Sequence, residues 1–359
     1  MAPFKTTLAR SVGKLLGVYK ETDLSLRGDV QRSRVPPPPQ LYEALILMVA
    51  GGGAGGGAQT GADGGGGGAG EVKYGPFKFE SSGSYVFRVG AGGPGASNNN
   101  LGASGTDGNG TPTYISSPLF TTVTAAGGGA GGSGPADSGV TPGGGNPGGS
   151  GGAGGGDGNP EGVEDGTEQP GGTSTAAPAS DSTYYSFTGY GGNGSNGGGD
   201  GGGGGGAGGN VAWAGDNGQT DGGAGRAFPA FASPLVGPAV FIMTRPDFNA
   251  AVGPTGLYGG GGAPGGEGCG PGSGGPGGGG GGGNAANPGI DYTGGGGSGH
   301  ESSTAGGNGG GGTIIVRMPT SDAPVLTVPG PVGTVSPGDG YKYFVFRGST
   351  TTSYPVSVT

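Results

Sequence analysis

The sequence predicts a mostly β chain with irregular segments: short β-strands anchoring a bundle of polyglycine II helices, with a short N-terminal α-helix ahead of them. Three observations lead there. Glycine supplies 106 of the 359 residues and proline 30, far above ordinary usage. Hydrophobic residues make up only 30%, too few for a conventional core over most of this length. The third is a join: in residues 45–61, LILMVAGGGAGGGAQTG, an apolar strand-like run passes straight into glycine.

Glycine-rich chains fall into three classes. Collagen needs glycine at every third position, and residues 51–70 break that period at once. A disordered linker is the default for Gly/Ser-rich sequence. The third class is packed, ordered polyglycine. Extended glycine takes the left-handed threefold helix of the polyproline II type, without internal hydrogen bonds. Its N–H and C=O groups then need lateral partners, and glycine permits that close approach. Ordering a residue costs about 1–2 kcal/mol, while a hydrogen bond returns a net of about 0.5–1.5 kcal/mol. Such a bundle roughly breaks even alone and requires anchors. The apolar strands flanking the runs provide them, so the packed class is preferred.

Taken in order, residues 6–17 place Leu8, Val12, Leu15 and Leu16 at i, i+4, i+7 and i+8, a short amphipathic helix closed by Gly17. So short a helix is marginal alone and implies a partner surface. Four prolines at 36–39 favour a stiff spacer rising about 3.1 Å per residue. Strand-like runs follow at 45–50, 84–90, 119–124, 239–244, 313–318 and 341–347. SYVFRV alternates, as a half-buried strand does, whereas LILMV is continuous, as a strand buried on both faces is. Between them lie glycine runs at 51–70, 127–158, 189–210, 259–283 and 294–312. AGGGAGG occurs at 50–56 and again at 126–132, each time after a β-rich run. The division predicted is an arm at 1–34, a proline spacer at 35–40, a glycine-rich body at 41–319 and a C-terminal β segment at 320–359.

The net charge of −9 is uneven. Residues 1–34 carry seven Lys/Arg against three Asp/Glu, a net of +4, and the remainder carries 8 basic against 21 acidic residues, a net of −13. A basic arm on an acidic body suggests docking of the arm, the plainer alternative being a solvated helix face. The body has no basic patch and no arginine–glycine repeat, so no nucleic-acid partner is expected. No run of 18 apolar residues suggests membrane insertion, and no signal peptide is read at the N-terminus.

Little points to catalysis. His300 and Cys269 are the single histidine and cysteine, which rules out zinc spacing and a disulfide framework. G-x-G-x-x-G matches are ubiquitous here and carry no meaning outside a strand–turn–helix context. Residues 102–107, GASGTD, are loosely similar to a calcium-binding glycine–aspartate repeat but lack its second glycine. No enzyme activity, metal or cofactor is expected. The most aromatic insert is TYYSFTGY at 183–190, with Trp213 nearby. Tyr184, Tyr185, Phe187, Tyr190 and Trp213 are candidate receptor-binding residues, since aromatic loops on a rigid scaffold make good contact surfaces; the alternative is a small local core.

Strand into VAGGGAGGG, then SGSYVFRVGAGG, long glycine runs, GGGGTIIVRMP and a closing GDGYKYFVF together resemble the glycine-rich domains of tailed-bacteriophage fibre and adhesin proteins, notably in phages of marine cyanobacteria. The segment KLLGVYKETDLSLR at 14–27 also resembles the N-terminal segment of several structural proteins of such phages. The resemblance implies a virion component made in the host cytoplasm. It implies an attachment segment, read here as residues 1–34, for which the apolar helix face of Leu8, Val12, Leu15 and Leu16 is the expected docking surface toward other virion proteins. It further implies a homotrimer and a host receptor or glycan as the outer partner. A head or neck decoration protein without receptor binding is the nearest alternative, and a surface-polysaccharide-degrading enzyme the alternative of another class, which would need paired carboxylates in a groove.

Overall fold

Two neighbouring strands decide the architecture. β1 (Leu41–Val49) is buried at every position from Ile46 onward, and β10 (Thr313–Pro319) is nearly as apolar. Only central strands covered on both faces hold such runs. They pair antiparallel, Met48 opposite Ile314 and Leu47 opposite Ile315. β2 (Val72–Glu80), β7 (Tyr185–Tyr190) and β6 (Ala179–Asp181) extend the sheet on one side, and β13 (Tyr341–Arg347) and β12 (Gly333–Val335) on the other. A second, five-stranded sheet has the order β11 (Leu326–Thr327), β14 (Thr352–Val358), β3 (Ser84–Val89), β4 (Thr113–Ser117) and β5 (Phe120–Ala125). β8 (Arg226–Ala227) and β9 (Leu257–Tyr258) form a short separate pair.

This is a computed structural model, and it describes residues 38–58, 62–95, 108–134, 143–156, 169–197, 201–212, 220–240, 246–266, 272–283, 285–301, 305–328, 332–348 and 350–359. From Leu41 onward they belong to one compact unit.

Alternation along β1 divides its side chains between two cores. Ile46 and Met48 join Phe77, Phe79, Tyr85, Phe87, Ile115, Val316, Phe346 and Val356 in one core built from strands of both large sheets. Rings meet edge-on, Phe87 with Phe346 at 4.9 Å and Phe79 with Tyr85 at 5.2 Å. Leu47 and Val49 point the other way, into a core with Ile315, Tyr343 and Val345. Two short helices, α1 (Ser233–Val240) and α2 (Pro246–Val252), cover that face with Val236, Ala239, Phe248 and Val252. Each fully buried side chain of this size contributes about 1.5–3 kcal/mol.

At the ends of these strands the chain enters glycine, and the glycine segments bond to one another through the backbone. Gly53 N–H donates to Gly68 O and Gly56 N–H to Gly65 O, both at 2.8 Å. Gly52 donates to Gly310 O and Gly55 to Gly307 O, both at 2.9 Å, while Ala54 donates to Gly108 O at 2.8 Å. A segment thus returns to the same neighbour every third residue and serves several neighbours in turn. There is no room for a side chain between them: a Cβ on Gly53 would stand 2.1 Å from Gly129 O.

The predicted fold class needs correction. The described regular structure is antiparallel β-sheet with two short helices, not a polyglycine II bundle pinned by isolated strands. The reason is where the apolar side chains are. They concentrate in strands that pair with one another and bury both faces of one sheet, so sheet packing sets the class and the glycine segments are extended chain tied sideways onto it. The predicted N-terminal helix at 6–17 lies outside the described residues, as does the whole arm at 1–34. The strand expected at 239–244 is also corrected. Ala239 and Val240 close α1, where Val236, Ala239 and Val240 are buried at helical spacing, and residues 241–245 lie outside the described set.

One buried ion pair sits where sheet meets glycine. Glu71 and Lys73 are only 2% and 3% exposed, and Lys73 Nζ donates to Glu71 Oε1 at 2.6 Å. Ala177 N–H donates to the same oxygen at 3.1 Å and Ala126 N–H to Oε2 at 2.8 Å. Lys73 Nζ also donates to Ala177 O. The carboxylate therefore gathers the end of β5 and the approach to β6 around the start of β2.

Two outcomes test this account. Gly280→Ala places a Cβ 2.3 Å from Asn287 O, whereas in Gly281→Ala the nearest atoms are 3.8 Å away. The first should lower stability by about 1–3 kcal/mol, and the second should melt like the parent in calorimetry. Glu71→Ala leaves a buried ammonium without its carboxylate and should cost about 3–5 kcal/mol in denaturant unfolding. Removing Lys73 as well should restore part of that loss.

Candidate functional site

The aromatic insert folds as a β-hairpin. Asp181 Oδ1 accepts the backbone N–H groups of Thr183 at 2.8 Å and Tyr184 at 3.0 Å, which shapes the turn between β6 and β7. Tyr185 and Phe187 are buried in the core shared by the large sheets, 8% and 2% exposed. Tyr185 stacks beside Phe187 at 5.5 Å and donates its hydroxyl to Thr121 O. Tyr184 is half-buried against Phe120 at 5.6 Å, and its hydroxyl donates to Glu80 Oε2 at 2.6 Å. Tyr190 lies at the other end of β7, with Arg226 over its ring at 5.0 Å and Phe228 beside it at 5.5 Å. Tyr184 and Tyr190 are separated by about 20 Å of strand. The hairpin residues thus form no single exposed patch, and Tyr185 and Phe187 serve the core. Trp213 lies outside the described residues, as do Leu8, Val12, Leu15, Leu16 and Cys269.

A different surface gathers the ends of several segments: the edge of the glycine layer farthest from the sheets. Ala50 N–H bonds Glu71 O at the sheet end; six residues further along, Gly56 N–H bonds Gly65 O, and beyond it Ala58 bridges to Gly134. At the same depth Gly64 donates to His300 O, Gly265 to Gly64 O and Gly156 to Asp63 O. Asp63 bridges to Glu301 and Gln169 to Gly197. These residues flank the segments at 59–61, 135–142, 157–168, 198–200, 267–271 and 302–304. Every one of those segments therefore begins and ends at one edge.

Charge follows this division. The segments at 59–61, 135–142, 157–168, 198–200, 267–271 and 302–304 contain eight Asp/Glu and no Lys or Arg. Asp63 and Glu301 add two buried carboxylates at their roots. Every Lys and Arg among the described residues from Leu41 onward lies instead in a β-strand, as Lys73 and Lys78 do in β2 or Arg317 in β10. Much of the acidic surplus of the body therefore falls in segments whose flanking residues lie at this edge. The sequence shows a net acidic body, but the edge itself appears only once the lateral bonding is known.

His300 belongs to this edge. It is 7% exposed and held by its backbone, its N–H donating to Gly56 O at 3.2 Å. Its Nδ1 is buried without a hydrogen-bond partner. Among the described residues no group of three or more His, Cys, Asp or Glu is arranged to hold a metal. None of the described helices is long and apolar enough to cross a membrane.

A family model described as a glycine-rich domain matches residues 29–238, more than half of the chain. No curated protein and no solved structure matches the chain.

Tyrosine chemistry gives a further test. Burial, followed by the hydrogen bond to Asp339 Oδ2 at 2.7 Å, pushes Tyr343 up to about 12. The hydrogen bond to Glu80 pushes Tyr184 up to about 12 as well, and burial pushes Tyr258 up. Unfolded tyrosine titrates near 10. A folded-state value above the unfolded one stabilises fully below pH about 10, and that contribution is lost as pH rises toward the folded value. Alkaline unfolding should therefore set in above pH about 10, followed by circular dichroism. Tyr343→Phe removes one such group and should move the transition to higher pH.

Proposed function

This chain belongs to the glycine-rich domain family, and on that premise we propose that it is a structural protein of a tailed-phage virion, a fibre or fibre-tip component that docks through residues 1–34 and presents its acidic edge to the host. One observation carries the reading: segments of unlike length and sequence leave a laterally bonded layer at a single edge, remote from the sheets. A layer without internal side chains is a rigid support. Segments whose two ends are fixed on it lose less freedom on binding than a free chain does, which favours recognition. The edge segments hold eight Asp/Glu and no Lys or Arg, which favours a partner with basic groups, a host-surface protein or an amine-bearing glycan, and speeds encounter with it. The sequence resemblance adds the virion setting and the homotrimer to the proposal.

Two variants separate the ends of the molecule. Deletion of residues 1–34 should leave a folded body that is missing from purified particles. Replacement of residues 157–168 by an equal length of Gly/Ser should leave folding and incorporation intact while slowing adsorption to host cells. Particles that adsorb normally with all the edge segments replaced would remove host attachment from the proposal and leave a decoration role.

A further inference from the structure

We propose that four Asn–Gly pairs of the glycine layer are deamidation sites that the layer itself holds shut and that open only when its lateral bonds break. The pairs are Asn109–Gly110, Asn193–Gly194, Asn196–Gly197 and Asn308–Gly309. A fifth, at 217–218, lies outside the described residues. All four make the same clamp. Ala130 N–H donates to Asn109 Oδ1 at 2.8 Å, and Gly110 N–H donates to Gly128 O at 2.9 Å. Ser174 N–H donates to Asn193 Oδ1 at 2.7 Å, and Gly194 N–H to Gly172 O at 3.1 Å. Gly171 N–H donates to Asn196 Oδ1 at 3.1 Å, and Gly197 N–H to Gln169 O at 2.9 Å. Gly95 N–H donates to Asn308 Oδ1 at 2.6 Å, and Gly309 N–H to Gly93 O at 2.9 Å. In each case one neighbouring segment supplies an N–H to the asparagine and, two residues earlier, a carbonyl to the glycine.

The clamp holds both reacting groups of deamidation. In that reaction base removes the glycine N–H proton and the nitrogen attacks the asparagine Cγ. The N–Cγ bond forms, the Cγ–Nδ2 bond breaks, and the side-chain nitrogen takes a proton and leaves as ammonia. Water then opens the succinimide ring to aspartate or to isoaspartate, which carries an extra methylene in the main chain. Glycine hinders the attack least, having no Cβ, yet the layer requires it at these positions. A Cβ would stand 2.0 Å from Gly51 O on Gly110, 2.2 Å from Gly152 O on Gly194, 2.4 Å from Gly155 O on Gly197 and 2.0 Å from Gly52 O on Gly309. Packing thus selects a labile dipeptide, and the same packing withholds it. While the layer is closed, the glycine N–H is engaged by a carbonyl and the side-chain carbonyl by a second donor, so Cγ is kept from turning onto the nitrogen. Opening releases both restraints. An isoaspartate formed there lengthens a segment whose lateral bonds recur at fixed spacing, and the layer no longer closes in register. The inference is independent of the loop-bearing edge and of the attachment reading.

Peptide mapping of the full chain by mass spectrometry tests this, after incubation at mildly alkaline pH with and without urea. In urea all four pairs should convert to aspartate and isoaspartate. In native buffer each should convert about a hundredfold or more slowly, at a rate set by local opening, and hydrogen exchange at the four glycine amides should show matching protection. Recovery of native circular dichroism on removal of urea should fall in step with isoaspartate content. Equal time in mildly acidic urea, where the glycine nitrogen keeps its proton, should leave recovery intact. A smaller ratio of urea to native rate at any of the four pairs, no conversion in urea, or full recovery by chains that carry isoaspartate at all four each overturns the proposal.

Discussion

Everything in this molecule depends on backbone groups of neighbouring glycine segments meeting with no side chain between them. Each such bond is worth a net of about 0.5–1.5 kcal/mol, and fixing each residue costs about 1–2 kcal/mol, with glycine at the costly end. The layer cannot stabilise itself. What makes it possible is that its chains enter and leave through strands already fixed in the sheets: Ala50 follows β1, and Glu71 leads into β2, bonded to one another at 3.1 Å. The two large sheets, with their buried rings, supply the surplus. The glycine layer then inherits register from the strand ends, since nothing within a run of glycine distinguishes one residue from the next.

The same constraint explains the separation of charge. A layer in which a Cβ on Gly53 would lie 2.1 Å from a carbonyl oxygen has no interior place for an ionised side chain. Most charges go to the sheets or to the segments rooted at the edge. In the sheets long cationic side chains lie along apolar surface and meet aromatic faces, as Arg317 does over Tyr341 at 3.4 Å and Arg88 over Tyr114 at 5.4 Å. Carboxylates gain nothing from the negative face of a ring, and most of those in the glycine-rich stretches fall in the edge segments. Glu71 is the exception inside, tolerated because Lys73 and two backbone N–H groups satisfy it.

How much of this could be read from sequence depended on side chains. β1, β3, β10 and β13 were legible because apolar residues mark strands, and the continuous LILMV run even signalled burial on both faces. β2 escaped notice because Gly75 and Pro76 interrupt it. Pro76 is tolerated opposite Leu45 of β1, while pairing with β7 is broken around it; Gly75 is required because a Cβ there would meet Ser186 O at 1.9 Å. The run at 239–244 misled in the other direction, since short apolar stretches do not distinguish strand from helix. Which strands pair, and hence the β class of the whole, is long-range information that local patterns do not hold. The candidate edge was hidden for a related reason. Its acidic segments are plain in the sequence, but their convergence is encoded in backbone pairing between glycine runs, which carry no side-chain code.

That pairing also separates the fold from the segments rooted at the edge. The flanking residues of segment 59–61 and of segment 157–168 reach comparable depth in the layer, although one segment has three residues and the other twelve. Lengthening a closed loop fourfold costs only about 1.2 kcal/mol of chain entropy, two doublings at about 0.6 each. Changes in the length and composition of these segments therefore leave the lateral bonds and the sheets almost untouched, whereas a single methyl group inside the layer does not. The edge segments can therefore change while glycine and the strands keep the fold.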